Sequence, residues 1–204
     1  ATVEKDGFAI LRYVTRTLTG TISSYTDDSY AKQLGEYDPA GYYGVQVQTT
    51  TAETIQAGLF DALSGMRAGG EKKFIVPSWM MSYSDYKTED EYLAVSTEFT
   101  NTVYEVKLVD FAKNINDWQL QKMEECFARP DFFDGAFNGC RIQDSTSLGF
   151  YFKMINKVES KKEFPQDTTI YINYTGSLLK LPEIYGDGLV FDTSIENVAK
   201  DNHL

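Results

Sequence analysis

The chain has 204 residues, 42% of them hydrophobic and 24% charged, which suits one large domain or two small ones and rules out compositional disorder. Its net charge of −11 excludes a nucleic-acid partner, because neutralising a phosphate backbone takes a basic face, and fits a charge that serves solubility. No run approaches the ~20 apolar residues of a membrane helix, and the polar start "ATVEKDG" reads as a mature or trimmed end without a signal peptide.

Residues 8–18, "FAILRYVTRTL", begin apolar and then alternate, as a strand does. Residues 30–44 hold two glycine-bounded tyrosine clusters and read as a loop, and "YGVQVQT" at 43–49 alternates again. In "GLFDALSGMRAGGEKKFIVPS" (58–78), Leu59, Leu63 and Met66 share one face of a helix of two to three turns. Gly69 and Gly70 allow a tight reversal, and "KKFIVP" at 72–77 is a short buried strand closed by proline. A long loop, 78–100, carries the apolar cluster Trp79, Met80 and Met81, which either folds back on the core or offers a partner contact.

"TVYEVKLVDF" at 102–111 alternates most strongly: Val103, Glu105, Lys107 and Val109 take one face, and Tyr104, Val106 and Leu108 the other. Residues 115–128 read as an amphipathic helix, capped by Asn114 or Asn116 and ended by Arg129-Pro130. Its rows are Ile115, Trp118, Lys122, Cys126 and Leu120, Met123, Phe127. Strands are expected at 149–157 and 168–179.

The two cysteines, Cys126 and Cys140, are too few for a structural zinc site; a disulfide and two buried thiols both fit them. The single histidine, His203, leaves Ser–His and Cys–His nucleophile systems without support. No cofactor or metal is expected. The sequon "NYT" at 173–175 falls inside an expected strand and is discounted.

Two stretches resemble each other. "DGFAILRYVTR" from Asp6 aligns without a gap on "DTTIYINYTGS" from Asp167, placing Tyr13 on Tyr174. "TGTISSYTDDSYAKQ" (19–33) aligns on "DGLVFDTSIENVAKD" (187–201) once "KLPEIYG" (180–186) is treated as an insertion. This suggests an internal duplication. The second copy stops before any counterpart of 43–111, so either the chain is a piece of a longer protein or copies complete one another across molecules.

The motif order is Y-T-G at 174–176, V-F-D at 190–192, and Gly58, Leu59, Ala62, Leu63, Met66, Gly69 followed by a strand ending at Pro77. In this order the sequence resembles the FK506-binding-protein (FKBP) family of peptidyl-prolyl cis–trans isomerases. The resemblance implies an α+β fold, a curved antiparallel sheet wrapped around a short helix. It implies a first FKBP-like domain at 1–112 with a degenerate pocket and no first strand, a linker with an amphipathic helix at 113–148, and the N-terminal part of a second domain at 149–204. It implies a catalytic set of Tyr174, Phe191 and Asp192, and substrate-binding Tyr13, Leu59, Tyr83 and Tyr104 in the first copy.

Ser23 and Ser24 stand where the second copy has Phe191 and Asp192, which puts activity of the first copy in doubt. The expected function is a prolyl isomerase or folding factor acting on proline-containing polypeptide clients. The alternative is a non-enzymatic chaperone or peptide-binding module; a carbohydrate-directed protein is a weaker third reading. By the same resemblance the expected compartment is the bacterial cell envelope or periplasm.

Overall fold

The computed structural model describes residues 1–52, 55–81, 88, 90–91, 94, 101–130, 143–145, 150–152, 165–179, 181, 184 and 189–204. Five strands form one antiparallel sheet. β1 (Phe8–Thr17) has β5 (Thr102–Ala112) along the whole of one edge, with β4 (Glu71–Val76) beyond it. The other edge of β1 is shared: β3 (Gln46–Thr49) pairs with Phe8–Leu11, and β2 (Ile22–Tyr25) pairs with Val14–Arg16. A bulge between Ile10 and Leu11 leaves Val109 of β5 without an opposite residue, the kind of insertion that bends a sheet.

Alternation sorts the side chains as the sequence predicts. Ala9, Leu11, Val106, Leu108 and Phe111 face one side and bury against Leu59, Leu63 and Met66. The helix they hold, α2 (Ala57–Leu63), is shorter than its apolar spacing suggests. It stops at Leu63 because the chain reverses at Gly65, with φ +76°, and Met66 reaches the core from that turn. Gly69, at φ +80°, then feeds β4. The cap residue Gln56 offers α2 no side-chain hydrogen bond. At its other end the Lys72 ammonium donates to the Ala62 carbonyl at 2.7 Å, a cation at the negative end of the helix.

Two short helices fall where the sequence was read as loop. α1 (Asp28–Leu34) is capped by Asp27, whose side chain accepts the Ser29 N–H, and ends at Gly35 with φ +74°. The Asp-x-Ser start and the Gly stop were the available signals, masked by the tyrosines around them. α3 (Ser78–Met81) opens the long loop, and its Met80 lies against α2: a Cβ at Gly58 would come within 2.9 Å of Met80 Cβ and 2.7 Å of Val76 Cγ1. This part of the apolar cluster folds back on the core.

α4 (Ile115–Phe127) is capped by Asn114, one of the two expected residues. It covers the opposite face of the sheet. Its buried residues are Trp118 and Cys126, both in the first predicted row. Trp118 packs with Ile10, Val45 and Ile184, and its indole N–H donates to Asp110 Oδ2 at 3.0 Å. Beyond α4 stand two small antiparallel pairs, β6 (Gln143–Ser145) with β7 (Phe150–Phe152), and β8 (Thr175–Ser177) with β9 (Val190–Thr193). α5 (Glu196–Asp201) follows β9.

β7 lies within the expected strand at 149–157, whose other residues are outside the described ones, as is Cys140. The expected strand at 168–179 is paired only over Thr175–Ser177. Residues 168–174 join no ladder, whereas their counterparts in β1 are held between β5 and β3. No helix among the described residues is long and apolar enough to cross a membrane.

Candidate functional site

The inner face of the sheet ends in an aromatic row. Phe74 on β4 lies directly across from Tyr104 on β5, which lies across from Thr15 on β1; Tyr13 is one step along. The Phe74 and Tyr104 rings stack with centroids 5.4 Å apart and planes 5° apart. Tyr13, Phe60, Phe74 and Tyr104 are half-buried and rest on the core that contains Leu59. Burial, with the Tyr13 hydroxyl as a lesser contributor, pushes the Tyr104 phenol above its usual range. The structure thus brings together Tyr13, Leu59 and Tyr104, and adds Phe74 and Phe60, which alternation places but no motif names. Tyr83 lies outside the described residues. Leu59 is almost wholly buried at 9% exposure, in the core beneath these rings.

The second set is gathered by the β8–β9 hairpin. The Tyr174 hydroxyl donates to Asp192 Oδ2 at 2.8 Å. That bond, and the carboxylate charge behind it, raise the pKa of the Tyr174 phenol. Phe191 lies over Gly176: a Cβ there would meet the ring at 2.8 Å. The three residues of the sequence-predicted set are therefore adjacent, on a surface where Tyr174 and Phe191 are 46% and 58% exposed.

The two hairpins share one hydrogen-bond pattern. The Thr26 N–H donates to the Tyr13 carbonyl at 3.0 Å, and the Tyr13 N–H to Thr26 Oγ1 at 2.8 Å. Ser194 and Tyr174 repeat this at 3.0 and 2.9 Å. A bulge follows at matching places, between Thr15 and Arg16 and between Gly176 and Ser177. It leaves Ser23 in one hairpin and Phe191 in the other without a partner across the ladder. A left-handed aspartate stands at the matching place before each, Asp6 at φ +56° just ahead of β1 and Asp167 at φ +63° ahead of the unpaired residues 168–174. Both following helices carry an (i, i+4) acid–lysine pair, Asp28–Lys32 and Glu196–Lys200, and are followed by a left-handed residue, Gly35 as the cap itself and His203 one residue past the cap Asn202. Where the second hairpin puts a Phe ring over a glycine, the first has Thr15, 6% exposed, beside Ser23.

The fold is FKBP-like. Its marks are the central β1 flanked by β5 and β2, the strand order, and the two-turn helix seated on the inner face. No family model and no curated protein matches the chain at the sequence level. Among solved structures, the chain is similar to FkpA from Escherichia coli at 13% identity and TM-score 0.35, over 54% of this chain and 42% of that one. A peptidyl-prolyl cis–trans isomerase from Pseudomonas syringae pv. tomato matches at 19% identity and TM-score 0.37, over 55% and 67%. The N-terminal domain of FKBP42 from Arabidopsis thaliana matches at 14% and 0.34, over 54% and 76%. The match thus spans less than half of the E. coli chain. At these scores the fold assignment rests on the strand order, the register and the seated helix.

An open groove of about 620 Å³ is lined by Arg12, Asp27, Lys73, Glu105 and Lys107; it takes in Tyr13 of the aromatic row but neither Leu59, Phe74 nor Tyr104. Its charges are paired, as in Lys73–Glu105 at 2.8 Å and Arg16–Glu105 at 3.4 Å, so it presents no single sign to a ligand. Among the described residues no group of three or more His, Cys, Asp or Glu side chains converges as a metal site would.

Proposed function

We propose that the protein is an FKBP-type peptidyl-prolyl cis–trans isomerase or folding factor acting on proline-containing polypeptides. In this reading 1–112 is a peptide-binding domain of weak or no activity, 113–148 is a linker, and 149–204 begins a second, catalytic domain. The observation that carries it is the Tyr174–Asp192 hydrogen bond beside Phe191, the three residues the family resemblance names. The compartment we propose, from the sequence resemblance, is the bacterial cell envelope or periplasm.

The chemistry asks for an apolar hollow, which in this reading the rest of the second domain completes around the exposed Tyr174 and Phe191. Rotation about a prolyl amide breaks no bond; its barrier of ~18–20 kcal/mol is amide resonance. Unaided interconversion takes tens to hundreds of seconds. An apolar hollow favours the twisted, less dipolar transition state over the planar amide, and few polar groups are needed to hold it. Phe191 supplies apolar surface for the proline ring. Asp192, fixed by Tyr174, holds a negative charge where the amide carbon gains positive character as resonance is lost. The first domain has the aromatic row but Ser24 in place of the carboxylate, which favours binding over catalysis there.

NMR exchange spectroscopy on a proline-containing peptide with the full-length protein tests this reading. Catalysed cis–trans exchange is expected, reduced at least tenfold by Asp192→Ala. Exchange at the uncatalysed rate with the wild-type protein would defeat the isomerase reading. Binding of unfolded clients without exchange would support the non-enzymatic alternative, which the serines at 23 and 24 favour for the first domain.

A further inference from the structure

Tyr174 aims Asp192, and Tyr174 must itself be held. Residues 168–173 ahead of it join no ladder, so it is not fixed from that side. Among the described residues, every hydrogen bond to its backbone comes from Thr193 and Ser194, the two residues that follow Asp192. The Tyr174 N–H donates to Ser194 Oγ at 2.9 Å. The Tyr174 carbonyl accepts the Ser194 N–H at 3.0 Å and the Thr193 hydroxyl at 2.9 Å. A hydroxyl has one proton to give. Since Thr193 gives its proton to Tyr174, the Thr175 hydroxyl is the donor to Thr193 Oγ1 across the ladder, at 2.9 Å. Thr193 Oγ1 also accepts the Ile195 N–H at 3.2 Å, just ahead of α5.

The first hairpin has only part of this. Thr26 holds Tyr13 as Ser194 holds Tyr174, but the second hydroxyl bond to the carbonyl is a longer one from Thr26 itself, at 3.2 Å. Tyr25 stands in the place of Thr193, and its hydroxyl donates to Glu36 at 3.4 Å instead. Tyr13 also has a neighbouring strand, with Val106 of β5 opposite it, and Ser24 where the carboxylate would be. The extra hydroxyl therefore belongs to the hairpin that carries the carboxylate and lacks that neighbour. We propose that Thr193 and Ser194 are positioning residues, which grip the Tyr174 backbone so that its hydroxyl reaches Asp192. The contacts close a ring: Tyr174 and Asp192 meet through their side chains at 2.8 Å, and the chain just past Asp192 returns to the Tyr174 backbone. Misplacing a reacting group by about 1 Å can cost on the order of a hundredfold in rate, so such a grip matters to catalysis. The place of the two residues in catalysis rests on the isomerase reading; the grip itself does not.

The test is an NMR titration of the 204-residue chain carrying ¹³Cζ-labelled tyrosine, with the Tyr174 signal assigned by Tyr174→Phe. In the native chain the Asp192 hydrogen bond, and then its charge, hold the Tyr174 phenol above its ordinary range. Thr193→Val and Ser194→Ala each remove one hydroxyl; Thr193→Ser and Ser194→Thr keep it. The expected result is a downward shift of the Tyr174 titration in the two removal variants and the native titration in the two that keep the hydroxyl. Amide exchange at neutral pH reads the Leu178 N–H, which donates to the Leu189 carbonyl at 2.9 Å, as the control for an intact hairpin. It should stay protected in all four. An unshifted titration in either removal variant would overturn that residue's assignment, and so would an equal shift in the variant that keeps the hydroxyl. Loss of Leu178 protection along with the shift would overturn it too, because the bonds would then hold the hairpin and not Tyr174. The readout needs no turnover, so an inactive native chain would defeat the isomerase reading and leave the result on the grip standing.

Discussion

Leu63→Ala tests whether the sheet holds α2. Leu63 has no exposed surface and sits among Leu59, Met66, Val106 and Leu108. The helix has seven residues and no side-chain N-cap bond, well short of the ~12–15 residues at which an isolated helix becomes even marginal. Its stability must therefore come from burial, and the site has little freedom to collapse around a cavity. Leu→Ala in a core costs about 2–5 kcal/mol, and these features place Leu63 at about 3–4 kcal/mol. For a chain of this size that lowers Tm by roughly 6–16 °C. Urea denaturation followed by circular dichroism measures it, with Asp61→Ala, exposed on the same helix, expected within about 0.5 kcal/mol of the native chain. A Leu63→Ala cost no larger than that of Asp61→Ala would refute a helix seated in the sheet.

Gly176→Ala should displace the Phe191 ring, since the added Cβ would lie 2.8 Å from it. Catalysed prolyl exchange should fall severalfold and the Phe191 ring resonances should shift; unchanged ring shifts would contradict the contact. Asp27→Ala should cost about 1 kcal/mol by removing the α1 cap. Its hydrogen bond from Ser29, then the charge of Arg12 at 3.9 Å, hold the Asp27 carboxyl below the usual range. That stabilisation is complete above the unfolded-state value near ~3.9 and is lost as pH falls through the lower folded value. The gap between native chain and variant should therefore close in acid; a gap independent of pH would contradict it.

Much of this was legible in the sequence because alternation and glycine placement act locally. β1 and β5 follow from their alternating patterns, and the inner row Tyr104, Val106, Leu108 faces α2 as read; β4 stands where a buried strand is expected, but as an edge strand it buries only Val76 and leaves Ile75 exposed. The likeness of the two hairpins was legible because the sequence alignment sets Tyr13 on Tyr174 and Gly20 on Gly188. What was not legible depends on distant partners. Helix α2 stops one turn early because Gly65 adopts positive φ, a choice set by how the turn meets the sheet. Residues 168–174 have a strand's pattern but join no ladder, because a ladder needs a neighbour and not only alternation. The burial of Ile184 was hidden for the same reason: an isoleucine in an insertion says nothing of the Ile10 and Trp118 it packs with. Phe74 was missed as a site residue because no motif marks it, although its register opposite Tyr104 could have been inferred from the two strands.

We propose that the first domain takes proline-containing peptide on the inner aromatic row. Chemical-shift mapping of the 204-residue protein during titration with a short Ala-Leu-Pro-Phe-type peptide addresses it most directly. The account predicts saturable shifts centred on Tyr13, Leu59, Phe74 and Tyr104, with Lys107 and Trp118 on the far face unmoved. Shifts confined to that far face, or none at millimolar peptide, would contradict it.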